Sequence, residues 1–508
     1  MSRPAARPDP ADAAAAPDEF DDHSGARRNF LTVFPSIMLP MFLAVVDQTI
    51  VATALPAIAA SLGDVDRLSW VVVSYLVATT IAAPVYGRLG DVLGRRRLMF
   101  VALGIFVTAS ILCAVSQSIV MLTVARILQG AGGGGLMTLS QALVGEAIPP
   151  RERARYQGYL AAVAVTSSAF GPVVGGYLTE HFGWQSVFLV NVPVGLGAAL
   201  LALRLPQRAG TGETFRFDTP GLVLFAAFIA STLIMLEETQ SAISGAWIMP
   251  AILLLLAIGS VVLLIRRERR APSPLLPIPL LKHPAIWRCD AMAACHGATL
   301  VSLITFLPLY FRMVHGTSAA TTGFLILPMT VGIGIGSLVT GRIVGRTGRT
   351  AVFPSVGLTL VTIGLAAVSL AAPDLSIGAL SMTFGLVSIF MGTLMGVVQL
   401  TVQLAAGSRQ LGAGAATVQF SRSLGAAVGT AIVGTVLFTT VMLISPEAGS
   451  AFGQILQEGP QALEALTAAQ QAAIEGGLDQ AFRNAFLCTA VFAALAMVLA
   501  WTLPIRRV

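Results

Sequence analysis

Stretches of apolar residues long enough to cross a bilayer recur from one end of this chain to the other. They restrict its fold more than any other feature. A span needs about 20 largely apolar residues. Segments of that kind occupy 33–58, 68–86, 98–117, 119–143, 156–178, 185–205, 219–238, 247–265, 285–311, 321–341, 351–372, 376–404, 412–444 and 480–503. Of the 508 residues, 55% are apolar and 11% are charged, which excludes a disordered chain, a coiled coil and an ordinary cytosolic enzyme. The predicted fold is all-α and integral to a membrane, with fourteen transmembrane helices. Residues 1–30, rich in Ala, Pro and Asp, are expected to form a disordered cytoplasmic tail that is neither signal peptide nor span.

Arginine placement agrees with this count. With the N-terminus in the cytoplasm, only Arg67, Arg312 and Arg483 fall at the outer face, while Arg126 and Arg422 lie within spans. The others, Arg95, Arg96 and Arg97 among them, gather at the inner face, as the positive-inside rule expects when both termini are cytoplasmic. The excess of 31 basic over 25 acidic residues therefore speaks of orientation and not of nucleic acid. Cys113, Cys289, Cys295 and Cys488 sit in apolar segments without zinc spacing, so no metal site is expected. The sequence contains no GxxxxGK[ST], which argues against ATP as the driving force.

A repeat divides the spans. Gly87, Arg88, Gly94 and Arg95 recur as Gly341, Arg342, Gly348 and Arg349 at a single offset of 254 residues. Both copies read as short inner-face loops between the second and third spans of a half. The chain then comprises an N-terminal six-helix half at 31–206, two inserted transmembrane helices with flanking cytoplasmic loops at 207–284, and a C-terminal six-helix half at 285–505. Two pseudo-symmetric halves are the plan of a transporter that rocks around a central cavity. The first copy carries Asp91 where the second has Gly345, so the copies are not functionally equal.

Several polar residues stand inside apolar spans. Asp47 lies near the middle of the first, where a carboxylate must face the bundle or a wet cavity. Arg126 in the fourth span lies at a similar depth, within reach of Asp47, and does not readily lose its proton. Either they form a proton-coupling pair or they are a structural ion pair. Gln129 follows one turn below Arg126. Asp290, beside Arg288 in the ninth span, reads as a second protonation site or as an interfacial pair. His296, deeper in the same span, reads as a satisfied histidine or a relay. Phe42, Gln129, Phe306, Tyr310, Gln399 and Gln403 are candidates for a cavity wall, being polar or aromatic in otherwise aliphatic spans. In the first loop copy, Gly87, Arg88, Asp91, Gly94 and Arg95 are candidates for an inner gate whose contacts differ between two states. The rival reading is that the arginines only anchor topology.

Four local patterns carry a family resemblance. They are Asp47 to Pro56 in the first span, Gly87 to Arg97 with Asp91, Arg126-Ile127-Leu128-Gln129-Gly130 followed by Gly132–Gly135, and Gly171-Pro172-Val173-Val174-Gly175-Gly176 followed by Trp184, Phe188, Asn191 and Pro193. With these, the chain resembles the fourteen-span drug:proton antiporter family of the major facilitator superfamily over about residues 30–505. The resemblance implies the major facilitator fold and an antiporter rather than an enzyme. It implies export of lipophilic, often cationic drugs or toxic compounds by alternating access, across the inner membrane of a bacterium. The drive would be the proton gradient, with no cofactor. It favours coupling at Asp47, and it implies an outer seal built by Gly171, Pro172, Gly175 and Gly176. Expected partners are a small lipophilic substrate, protons and the bilayer, with an adaptor protein if the source has two membranes. Transport of one endogenous metabolite, outward or inward, is the alternative on the same fold.

Overall fold

A computed structural model of the protein describes residues 19–63, 67–205, 217–241, 248–271, 274–275, 278–444 and 468–507. Its helices are α1 (Glu19–Leu62), α2 (Ser69–Leu93), α3 (Arg95–Ala114), α4 (Ile119–Ala147), α5 (Pro150–Phe182), α6 (Ser186–Leu189), α7 (Asn191–Ala202), α8 (Thr219–Ser241), α9 (Ile248–Glu268), α10 (Ile278–Leu281), α11 (Pro284–Met313), α12 (Ala319–Thr347), α13 (Val352–Ala371), α14 (Ile377–Met391), α15 (Met395–Ala406), α16 (Leu411–Ile444) and α17 (Ala468–Trp501). Among the described residues, 13 helices are long and apolar enough to cross a membrane. The expected span missing from these 13 is the sixth, which is the split pair α6–α7, and the twelfth is α14 and α15 end to end. The protein is a multi-pass membrane protein.

Local chemistry explains both splits. Pro193 has no N–H to bond the carbonyl four residues back, at Leu189, and α6 ends at that residue. Between α14 and α15, Thr393 Oγ1 donates to the Phe390 carbonyl at 2.7 Å, competing with the backbone ladder.

Two boundaries differ from expectation. Helix α1 begins at Glu19, inside the segment expected to be a tail, because no proline interrupts the chain between Pro17 and Pro35. The repeat copies are not loops. Helix α2 runs through Gly87 to Leu93, and α12 runs through Gly341 to Thr347. Each reversal is left to one glycine, Gly94 with φ 94° and Gly348 with φ 66°, a backbone region that side chains disfavour. Residues 445–467, between α16 and α17, lie outside the described residues.

Each half has its own core. Helices α1 to α7 enclose Tyr75, Phe106, Leu136 and Leu139 in one cluster and Ile50, Leu122 and Phe188 in another. Helices α11 to α17 enclose Leu307, Tyr310, Phe384, Phe482 and Phe486, with a further cluster around Met292. Small residues set the spacing: a Cβ on Gly130 would stand 2.5 Å from the Tyr75 carbonyl oxygen, so α4 lies directly on α2. Helices α8 and α9 pair and rest on the flank of α2 and α16, where Phe225 meets Phe420 with ring centroids 5.3 Å apart. The far face of α9 leaves Ile248 and Leu255 exposed, as a lipid-facing surface requires.

Candidate functional site

Helix α1 aims two adjacent residues at different targets. Met41, Val45 and Gln48 share a face that lines a cavity between the halves. Asp47 instead points into the N-terminal half, with no exposed surface. Its Oδ2 accepts from Arg126 Nη1 at 2.6 Å, and its Oδ1 accepts from Gln129 Nε2 and Asn191 Nδ2, both at 2.7 Å. Arg126 Nη1 also donates to Gln129 Oε1 at 2.7 Å, and Nε to the Val71 carbonyl at 3.1 Å. The guanidinium lies over Tyr75, 4.1 Å from its ring centroid. Ser110 Oγ accepts from Gln129 Nε2 at 2.8 Å and donates to the Phe106 carbonyl at the same distance.

Taking both charges out of water is costly unless their other lone pairs and donors are met. Here α1, α3, α4 and α7 each supply a partner. The structure thus brings Asp47, Arg126 and Gln129 together and adds Asn191 and Ser110. Asn191 was visible only as one letter of the fifth-span pattern. Its role comes from its place at the start of α7, just after the helix break.

The inner-gate candidates gather at a second site, at the arginine-rich end of the bundle. Asp91 reaches from α2 across to the N-terminus of α16. Its Oδ1 accepts from Gly412 N at 2.9 Å and its Oδ2 from Ala413 N at 3.0 Å. Those N–H groups have no intrahelical partner, and the helix dipole adds to the attraction. Arg95 donates to Asp91 and, through its other nitrogen, to Glu146 on α4. Glu146 joins this cluster and was not among the sequence candidates, since a single acid near a span end carries no distinctive pattern. Gly87 permits the contact: its Cβ would stand 2.5 Å from the Gly412 carbonyl oxygen. Gly94 makes the turn, and Arg88 lies half-buried beside the same corner.

The antiporter pattern lies on a seam between α5 and α1. A Cβ on Gly175 would stand 2.6 Å from the Ile50 carbonyl oxygen, and Gly171 faces Thr49 one turn earlier. Gly176 is different, since its Cβ would meet nothing within 4 Å. Pro172 does not break the helix, and α5 runs unbroken to Phe182.

The cavity between the halves has a volume of about 170 Å³. Its wall mixes methionines (Met41, Met137, Met329, Met391, Met395) with amides (Gln48, Gln141, Gln157, Gln399, Gln419), and adds His296 and Arg422. Of the six expected wall residues, only Gln399 lines it. Gln129 is held in the Asp47 set. Gln403 bonds the Gln141 carbonyl at 2.9 Å and ties the halves together. Phe42 packs against Phe170, with ring centroids 6.4 Å apart, Phe306 beside Gly434, and Tyr310 among Phe482 and Phe486. Helical phase is the reason. On α11, His296, Leu300 and Ile304 face the cavity, while Leu303, Leu307 and Tyr310 face the C-terminal core.

Asp290 and Arg422 complete the inventory. Asp290 is buried near Thr417, and neither carboxylate oxygen has a hydrogen-bond partner. The structure does not join it to Asp47 or Arg126. Arg422 was noted in the sequence without a role, and it proves to be a cavity residue. Glutamines were expected in the wall and are there, but the expected Phe and Tyr residues are not and the methionines were not foreseen, because the face each residue occupies was not legible.

Known proteins resemble this chain along most of its length. The family model described as Major Facilitator Superfamily matches residues 37–430. An MFS-type transporter of Mycobacterium tuberculosis, named as uncharacterized, is 33% identical over 94% of this chain and 69% of its own length. The multidrug transporter protein MdtP of Bacillus subtilis is 29% identical, over 79% of this chain and 74% of its own length. The crystal structure of the human organic anion transporter MFSD10 has the same fold, with a TM-score of 0.64 at 15% identity, covering 92% of this chain and 99% of that one.

Proposed function

This chain belongs to the major facilitator superfamily, and on that premise we propose that it exports lipophilic small molecules across the plasma membrane in exchange for protons. The observation that carries this reading is the pairing of a cavity between two halves with a buried acid–arginine set one residue from its wall, at Asp47 and Gln48. The Bacillus relative named as a multidrug transporter supports drug efflux. The arginine-rich end faces the cytoplasm under the positive-inside rule, which places both termini there. With that end closed by Asp91, Gln403 and the glycine contacts, the conformation is inward-closed.

Coupling follows from the partners of Asp47. Its carboxylate holds Arg126, Gln129 and Asn191, and so ties α1 to α4 and α7. A proton on Asp47 removes the charge that pairs with Arg126, loosens that tie and lets α1 move with its seam on α5. Asp47 is sealed in this conformation, so proton exchange belongs to another state, which is what obligatory exchange needs. Asp290 serves as the second proton site, since among the described residues only the Thr417 hydroxyl lies near its carboxylate and no cation pairs with it. No cofactor takes part. A second reading, export of one endogenous metabolite, draws on the five glutamines of the wall, since fixed hydrogen-bonding groups favour specific recognition.

The test is accumulation of fluorescent lipophilic compounds of either charge in everted vesicles. An imposed proton gradient is expected to drive uptake, and Asp47→Asn to abolish the drive. Uptake that survives collapse of the gradient would overturn proton coupling.

A further inference from the structure

We infer that the central cavity selects lipophilic anions over lipophilic cations of the same shape. This narrows the substrate class of the export reading and rests on it. Among the described wall residues there is one arginine, one histidine and no carboxylate. Arg422 bears a charge that persists at any working pH. It donates once, from Nη2 to Gln419 Oε1 at a long 3.4 Å, and forms no ion pair among the described residues. Arg422 as a residue is half-buried and lines the cavity, and no other described side chain accepts from its guanidinium.

The acids that would neutralise it are engaged or displaced. Asp47 is matched by Arg126. Asp290 lies six residues before His296 on α11, about 9 Å along the axis, and makes no ion pair with Arg422. A lipophilic cation entering this cavity meets an unmatched like charge in a poorly solvated space and finds no counter-ion. An anion finds a counter-charge there, and one with a carboxylate or sulfonate head also finds arginine's bidentate donor set. The methionine wall then adapts to apolar bodies of different shape. Like-charge rejection supplies the selectivity, and the apolar wall supplies the contact area.

Tetraphenylborate and tetraphenylphosphonium test this directly, because they share shape and apolar area and differ in sign. Binding is measured by calorimetry on the full chain in nanodiscs, with empty nanodiscs to subtract partitioning into lipid. The anion is expected to bind at least about tenfold more tightly than the cation. Arg422→Gln should remove that preference and Arg422→Lys should keep most of it. Equal affinities, a preference for the cation, binding of neither ion, or a preference that survives Arg422→Gln would overturn the inference. If Arg422→Gln does not fold, the wild-type comparison and the lysine variant still decide. The export reading fails separately. Vesicles that bind tetraphenylborate yet export nothing under a proton gradient would overturn transport and leave the anion site standing. Vesicles that export ethidium and reject tetraphenylborate would overturn the anion site alone.

Discussion

At the arginine-rich end the two halves meet at two corners. At one, α2 crosses α16 where Gly87 meets Gly412; at the other, α12 crosses α5 where Gly341 meets Gly158. The 254-residue offset that relates Gly87 to Gly341 also relates Gly158 to Gly412. In both, one helix lies on the carbonyl of the other, and a Cβ on Gly158 would stand 2.7 Å from the Ser337 oxygen. Charge separates them. Asp91 locks the first corner to the N-terminus of α16 and is itself held by Arg95, which reaches on to Glu146. The second has Gly345 in the place of Asp91, and Gly158, the counterpart of Gly412, lies eight residues inside α5, where the backbone N–H groups are already bonded within the helix. The shared glycines let both corners close and slide. Under the export reading proposed above, the carboxylate would make one of them a latch with two distinct states.

The same contrast runs through the middle of the halves. The N-terminal half keeps its buried charges in closed sets, around Asp47 as around Asp91. Among the described residues, the C-terminal half gives Asp290 only the nearby Thr417 hydroxyl and Arg422 one long bond. Closed sets hold helices together, and open groups remain available to a proton or a substrate.

The largest expected effect breaks a closed set. Arg126→Ala leaves Asp47 buried without its counter-ion, which is expected to cost about 3–5 kcal/mol of stability, together with all gradient-driven transport. Asp290→Asn removes no partner and should shift stability by less than about 1 kcal/mol while still impairing transport. Thermal unfolding in detergent and efflux in vesicles, measured on both variants, check the pair. Equal destabilisation would erase the distinction between closed and open groups.

Next in size is the latch. Asp91→Asn should lower turnover by about tenfold, as loss of charge-assisted bonds worth about 1.5–3 kcal/mol implies, with ligand affinity nearly kept. Gly345→Asn should act only through local geometry and do less. Transport rate and ligand binding at matched expression decide between them. The smallest effect falls on the α1–α5 seam, where Gly175→Ala should slow export and Gly176→Ala should not, since only Gly175 packs against α1. Equal rates for the two would remove the seam from the mechanism.

Much of this was legible in the sequence because the bilayer is a strict solvent. Fourteen apolar segments and the arginine distribution gave the span order, and the repeat gave the two corners through Gly87 and Gly341. Asp47 and Arg126 could be paired from depth alone. Other features needed three dimensions. Whether Tyr310 or His296 faces the cavity turns on helical phase within an almost wholly apolar span, where hydrophobic periodicity is weak. That Gly87 to Leu93 is helix rather than loop depended on a single glycine being enough to reverse the chain. Glu146 and Asn191 acquire roles only from residues far away in sequence.

The central claim is that Asp91 holds one of two otherwise similar corners, and amide exchange reads that bond where it is made. In wild-type protein, hydrogen–deuterium exchange should be slow at the start of α16, where Gly412 and Ala413 donate to Asp91. In Asp91→Asn, exchange over residues 411–416 should accelerate, while residues 157–162 of α5, at the symmetry-related corner, should keep their wild-type rate. Unchanged protection at 411–416, or equal acceleration at both corners, would contradict the account.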